Sequence, residues 1–335
     1  MPMIISLPTI RAARQATRIV SLMVGLGLAT GARATEFRSV DIYPANYPTV
    51  QAVTQMDKLM RQRSAGRHGI TLLARDERQT ESDSIALLRS GKLDMARVNI
   101  SALDPNRVAA IVPSLPFLFK STAQMRRVLD GPIGDEILAS LDADGLVGLC
   151  FYDAGPRSFY SATRPIRSAG DLKGVKVRVQ QSELWVALAR ALGAEPVTLR
   201  FELVSAALQD GTVEAADNNW PTYVSSRHYN VAKYFSPTEH SMAPAVLLFS
   251  KTVWDRLSSE DQSLIRGAAK DSIPRLRSLW DDYNATTRKT VVEAGGEIVA
   301  DVDRKSFADA LLPLYATLIT DSRSRDMVRR IQSEE

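Results

Sequence analysis

The chain has 335 residues, 45% of them apolar and 24% charged, which excludes a disordered or fibrous protein and leaves room for two domains with substantial cores. Its formal net charge is +4, but Arg11, Arg14, Arg18 and Arg33 all fall, with no acid, in the first 34 residues; the remainder is close to neutral, which removes the main support for a nucleic-acid partner. Cys150 is the only cysteine, so no internal disulfide is available.

In chain order, three arginines precede the apolar run IVSLMVGLGLAT, and Ala32-Arg33-Ala34 follows it. These are the charged, hydrophobic and small-residue regions of a secretory signal peptide, with cleavage expected after Ala34. The run is shorter than the roughly 20 residues of a spanning helix, and no cysteine stands at the cleavage point to carry a lipid. A periplasmic protein without direct membrane insertion is expected.

From Phe37 the pattern is α/β. FRSVDIY reads as a strand, YPTVQAVTQMDKLMRQRSAG as a helix opened by Pro48 and closed near Gly66, GITLLAR as a strand, SDSIALLRSG as a helix and KLDMARVN as a strand. DPN at 104–106 marks a turn, the apolar run VAAIVPSLPFLF is broken by Pro113 and Pro116, and LVGLCFYDAG is a buried strand. A second α/β region opens near Arg157: DLKGVKVRVQ carries a strand in which Val175, Val177 and Val179 alternate with polar residues, followed by the helix SELWVALARALG, the segment PVTL, the helix FELVSAALQDG and the strand TVEAADNN. APAVLLFSK is a further buried strand, and the rest is almost wholly helical, with Pro274 placed to kink or divide a long helix.

One internal echo stands out. LRSGKLDMARVN (88–99) and LQDGTVEAADNN (208–219) align without a gap, each reading as helix end, glycine, short strand and amide side chains. In open α/β sheets the carboxyl ends of strands border the ligand crevice, so two such ends could face each other across a cleft.

No G-x-S-x-G elbow, Walker loop or H-E-x-x-H is present, and His68, His228 and His240 are scattered without a second ligand at metal-binding spacing. Cys150 lies in an apolar strand, where a thiol is ordinarily buried and inert. DERQTESD (76–83) reads as a solvated acidic loop. No enzyme chemistry, metal or cofactor is therefore indicated. The stronger candidates are polar residues at strand ends. Arg178 closes a buried strand, where a guanidinium needs an anionic partner, either a carboxylate of this chain or one from solution. Arg157 opens the second region; Asn218 and Asn219 can donate and accept; Trp220, Tyr223 and Phe159 offer flat apolar faces for a sugar ring. Arg97 and Asn99 mirror them from the first region. Each also has a plainer structural reading as an ion pair, a turn or core.

The stretch from RSFYSATRPIRSAGDLKGVKVRVQQSELWVALARALGAEPVTL through ELVSAALQDGTVEAADNNWPTYV to LLFSKTVWDRLSSEDQSLI resembles the extracytoplasmic solute-binding subunit of TRAP transporters, the DctP-type family. The resemblance implies a two-lobed, type II-like periplasmic binding protein with mixed sheets, a hinge and a long helix spanning both lobes. It divides the chain into a leader (1–34), the first part of lobe I (35–156), lobe II (157–243), and a return strand, the long helix and C-terminal helices completing lobe I (244–335). It matches the family's carboxylate-binding arginine to Arg178, a second arginine to Arg157 and an asparagine to Asn218. LDMARVN, NNWPTY and TEHSM resemble the hexuronate-binding subgroup, which makes Arg97, Asn99, Asn219 and Tyr223 ligand contacts, with Tyr47 and Glu81 carried over from flanking loops. The implied partners are a small carboxylated solute and the TRAP membrane subunits; the implied activity is binding and transport without catalysis. Another organic acid as solute, or a secreted enzyme acting on acidic sugars, is the alternative.

Overall fold

The computed structural model describes residues 34–74, 80–103, 108–242 and 244–334. The leader, the DPN turn and the first residues of the acidic stretch lie outside them. Eleven strands run in chain order as β1 (Thr35–Val40), β2 (His68–Leu72), β3 (Met95–Asn99), β4 (Leu146–Tyr152), β5 (Arg157–Ser161), β6 (Lys176–Val179), β7 (Glu195–Thr198), β8 (Ala215–Asn218), β9 (Tyr234–Ser241), β10 (Ala245–Ser250) and β11 (Glu297–Ile298). They form two sheets, ordered β2-β1-β3-β10-β4 and β11-β9-β5-β8-β6-β7. Both are mixed: β1 pairs parallel with β2 and β3 while β10 is antiparallel to β3 and β4; β6 is parallel to β7 and β8 while β5 is antiparallel to β8 and β9.

The first sheet is sandwiched between two apolar clusters, one with Leu88, Val98, Val128 and Ile137, the other with Phe37, Met56, Phe249 and Leu276. The second sheet is packed likewise, by Val177, Trp185 and Phe307 in one cluster and Tyr160, Trp220 and Phe235 in another. Each sheet thus has its own core, and the two cores define two lobes. The chain passes between lobes at Asp153–Pro156, from β4 to β5, and again from β9 to β10. The echo in the sequence corresponds to matching units: helices Glu81–Arg89 and Val204–Gln209, then Gly91 and Gly211 at φ +70° and +78°, then β3 and β8. Only glycine takes that left-handed conformation cheaply.

The helix Ser259–Glu293 runs 35 residues, roughly 50 Å. It passes Pro274 without dividing, because packing on either side of that position holds it: Ala268 and Leu276 sit in a core of the first lobe and Val291 in one of the second. The C-terminal elements are shared between lobes and do not all complete the first. β11 extends the second sheet and helix Arg304–Leu311 buries Phe307 and Leu311 in the second lobe, while helix Ser322–Ser333 returns to the first through Met327, Val328 and Ile331. Two helices unmarked in the sequence reading, Thr122–Asp130 and Pro132–Ser140, precede β4, interrupted by Gly131 and Pro132. Among the described residues no helix is long and apolar enough to cross a membrane.

Candidate functional site

The carboxyl ends of β3, β6 and β8 converge on a cavity of about 80 Å³ between the lobes, whose wall includes Tyr43, Glu81, Arg97 and Asn99 from the first lobe and Arg157, Arg178, Gln180, Phe201, Asn218 and Asn219 from the second. Three guanidiniums, Arg97, Arg157 and Arg178, are each only 3–4% exposed there. Their partners differ in kind.

Arg97, on β3, reaches Glu81 Oε1 at 3.1 Å and Asp41 Oδ1 at 4.0 Å and lies 5.0 Å over the Tyr43 ring. Glu81 is held in place because Thr80 caps its helix through a capping box, and its Oε1 also accepts the Asn99 N–H at 2.9 Å. Burial pushes Asp41 and Glu81 above the ordinary carboxylate value, and Arg97 pulls both back.

Arg157, on β5, donates from Nε to Asp217 Oδ2 at 2.6 Å, from Nη2 to the Asp217 carbonyl at 2.7 Å and from Nη1 to Asn218 Oδ1 at 3.2 Å. The Gln180 carboxamide, with its oxygen turned toward Arg157, accepts from both Nη atoms at 3.0 Å. Burial opposes ionisation of Asp217, but Arg157 and His240 outweigh it and hold this carboxyl well below its usual range. His240, 3.4 Å from Asp217 Oδ2, is pushed down by burial.

Arg178 stands apart. Its Nε and Nη2 donate to the Leu199 carbonyl at 3.1 and 2.9 Å, and among the described residues no carboxylate pairs with it. Burial pulls it below the ordinary arginine value. The two amides beside it are held by their oxygens: Asn218 Oδ1 accepts from Arg157 and from the Asn219 N–H at 2.9 Å, and Asn99 Oδ1 accepts from the Ser101 N–H and hydroxyl at 3.0 and 2.6 Å. Neither Nδ2 donates to a described residue, so both remain as donors on a wall already rich in N–H groups. Asn219 lines the cavity but is structurally committed, since its Oδ1 caps helix Trp220–Ser225 at the Thr222 N–H and its Nδ2 donates to the Ala154 carbonyl at 2.6 Å.

Four aromatic residues expected at the site do not line it. Tyr47 lies beneath Tyr43, rings 3.9 Å apart, with its hydroxyl 3.0 Å from Thr222 Oγ1. Trp220 stacks on Phe235 at 3.5 Å, and the Tyr223 hydroxyl donates to the Ala232 carbonyl at 2.6 Å, both inside a core of the second lobe. Phe159 likewise stacks on His240. The apolar faces of the cavity come from Tyr43 and Phe201 instead, edge to face at 5.6 Å. Gln180 was accessible to the strand-end rule, because it follows β6 directly, whereas Tyr43 stands three residues beyond the end of β1. Among the described residues no group of three His, Cys, Asp or Glu could hold a metal. Cys150 sits in the first lobe's core, where burial pushes its thiol upward.

Residues 40–321 match the family of bacterial extracellular solute-binding proteins, family 7. The chain belongs to that family. A TRAP periplasmic solute-binding protein of Bradyrhizobium sp., solved in complex with α/β-D-galacturonate, is 48% identical, with a TM-score of 0.87 over 89% of this chain and 99% of that one. Its counterpart from Xanthobacter autotrophicus Py2, with bound β-D-galacturonate, is 44% identical, with a TM-score of 0.86 over 89% of this chain and 100% of that one. A solute-binding protein of Chromohalobacter salexigens is 32% identical over 307 residues, 92% of this chain and 91% of that one. The two-lobed architecture and mixed sheets are those of TRAP solute-binding proteins, and this chain is an extracytoplasmic solute-binding component of that kind.

Proposed function

We propose that this protein captures a hexuronate, D-galacturonate or D-glucuronate, in the periplasm and delivers it unchanged to the membrane subunits of a TRAP transporter, after export directed by residues 1–34. The observation that carries this reading is the difference among the three arginines. Arg97 and Arg157 are neutralised by Glu81, Asp41 and Asp217, whereas Arg178 has only a carbonyl. A buried guanidinium without a counter-ion is costly, and a ligand carboxylate bound in two parallel hydrogen bonds removes the cost. The free amide donors of Asn99 and Asn218 suit hydroxyls, Tyr43 and Phe201 suit the ring, and the small cavity suits a single sugar acid. The galacturonate-bound relatives support the same solute class.

Titration calorimetry against D-galacturonate, D-glucuronate, succinate, pyruvate and an aromatic acid tests this. The hexuronates are expected to bind and Arg178→Ala to weaken them about a thousandfold, the scale of an unpaired buried charge. No hexuronate binding by the wild type, or undiminished binding by the variant, overturns it. Recovery of chemically altered uronate after incubation would overturn delivery without turnover.

A further inference from the structure

Trp185 is 1% exposed on helix Glu183–Ala191 and serves two partners at once. The Arg157 guanidinium lies 4.9 Å over its ring, and its Nε1–H donates at 2.9 Å to Ser101 Oγ, in the turn that follows β3 in the opposite lobe. Chemistry fixes the direction of each bond. An indole N–H only donates, and the single Ser101 hydroxyl proton goes to Asn99 Oδ1, leaving lone pairs for Trp185. The sequence Arg157, Trp185, Ser101, Asn99 therefore joins a cavity-lining cation of the second lobe to a cavity-lining amide of the first. Other bonds between lobes lie elsewhere: Asn219 holds Ala154 in the β4–β5 connection, and Thr222 bonds Tyr47 and Tyr43 of the first lobe. The Trp185 bond involves none of these.

We propose that Trp185 is a positioning residue that latches the closed cleft: its bond to Ser101 forms as the lobes meet and at the same moment fixes Arg157 and Asn99 in the cavity wall. The inference rests on the solute-binding reading above. Trp185→Phe keeps a ring under Arg157 but loses the N–H; Ser101→Ala removes the acceptor and releases Asn99; Ser101→Thr keeps the hydroxyl.

The test is a double-mutant cycle by calorimetry with D-galacturonate, with melting of each ligand-free protein as the folding control. Trp185→Phe and Ser101→Ala should each weaken binding about tenfold, the worth of one buried hydrogen bond. The double variant should be no weaker than either single, Ser101→Thr should restore affinity, and ligand-free melting should not move. Unchanged affinity in both singles, or losses that multiply to a hundredfold in the double, would overturn the latch. Should Trp185→Phe fail to fold, the Ser101→Ala and Ser101→Thr pair decides alone. If the wild type takes D-glucuronate but not D-galacturonate, the cycle is run with D-glucuronate; if it takes neither, the uronate reading has failed by itself, and the cycle is run with succinate and pyruvate, where the same non-additivity is required.

Discussion

Arg178, in the cavity wall, and Asp217, the buried partner of Arg157, should respond oppositely to removal. Burial outweighs what favours the Arg178 charge, whose hydrogen-bond partner is a carbonyl and not a carboxylate, so Arg178→Leu should leave ligand-free stability unchanged or raise it while abolishing uronate binding. Asp217→Asn strands the buried Arg157 charge and should cost about 3–5 kcal/mol. Chemical denaturation of the two variants checks the contrast, and a strongly destabilised Arg178→Leu would show that the guanidinium is a structural group. His228 gives a pH signature. Burial, with Arg178 nearby, pulls its imidazole down to about 4, below the ordinary 6.5. The unfolded chain therefore takes up the proton first: this contribution is complete above pH 6.5 and is lost as pH falls toward 4, by about 3 kcal/mol in all. Asp41 and Glu81, whose carboxyls are raised by burial, act with the opposite sign near the bottom of that window. The readout is accordingly the difference between wild type and His228→Gln in denaturant midpoint from pH 7 to 4; parallel curves would contradict the assignment. Arg178 was legible in the sequence because alternation placed a permanent charge at a buried strand's end. The core positions of Tyr47, Trp220 and Tyr223 were not legible, because an aromatic beside a polar strand end serves a core and a cleft equally well in one dimension.

At the scale of elements, the crossing from β4 to β5 depends on Gly155. It sits at φ +65°, and a Cβ there would stand 3.0 Å from Trp280 Nε1 and 3.3 Å from Cζ2. Gly155→Ala should cost about 1–2 kcal/mol in backbone strain and displace Trp280, which carries Tyr47 and, through it, the bond to Thr222. A melting temperature several degrees lower, together with weaker D-galacturonate binding, is the expected result; unchanged melting and affinity would remove the segment from any part in closure. The helix-glycine-strand echo was readable because glycine at a left-handed position and an apolar strand are both local signals. β9 was not, because its sequence YFSPTEHS carries buried polar side chains: Ser236 Oγ accepts the Ile166 N–H and Thr238 Oγ1 accepts the Phe159 N–H. Those partners lie 70 and 79 residues away, so no local hydrophobic period marks the strand. Pro274 does not divide its helix, for the related reason that tertiary packing overrides a local breaker.

For the whole molecule, three connecting segments and a single 35-residue helix tie the lobes together, while the contacts that would hold them shut are polar bonds, among them those from Trp185, Thr222 and Asn219 to the opposite face and its connections. A small set of polar bonds is the expected design for a cleft that must open, since each is worth little net when water can replace it. The solute then supplies the decisive free energy by contacting both lobes at once, and it shifts the equilibrium only by its preference for the closed form. D-galacturonate at a hundred times its Kd should add about 2.7 kcal/mol of stability, a rise in Tm of roughly 4 °C for a chain of this size, accompanied by a smaller radius of gyration in X-ray scattering. Arg178→Ala should show neither change at the same concentration. A rise in Tm without compaction in the wild type would mean that the lobes already meet before the solute arrives, and that Arg178 reports occupancy of a preformed cavity rather than driving its closure.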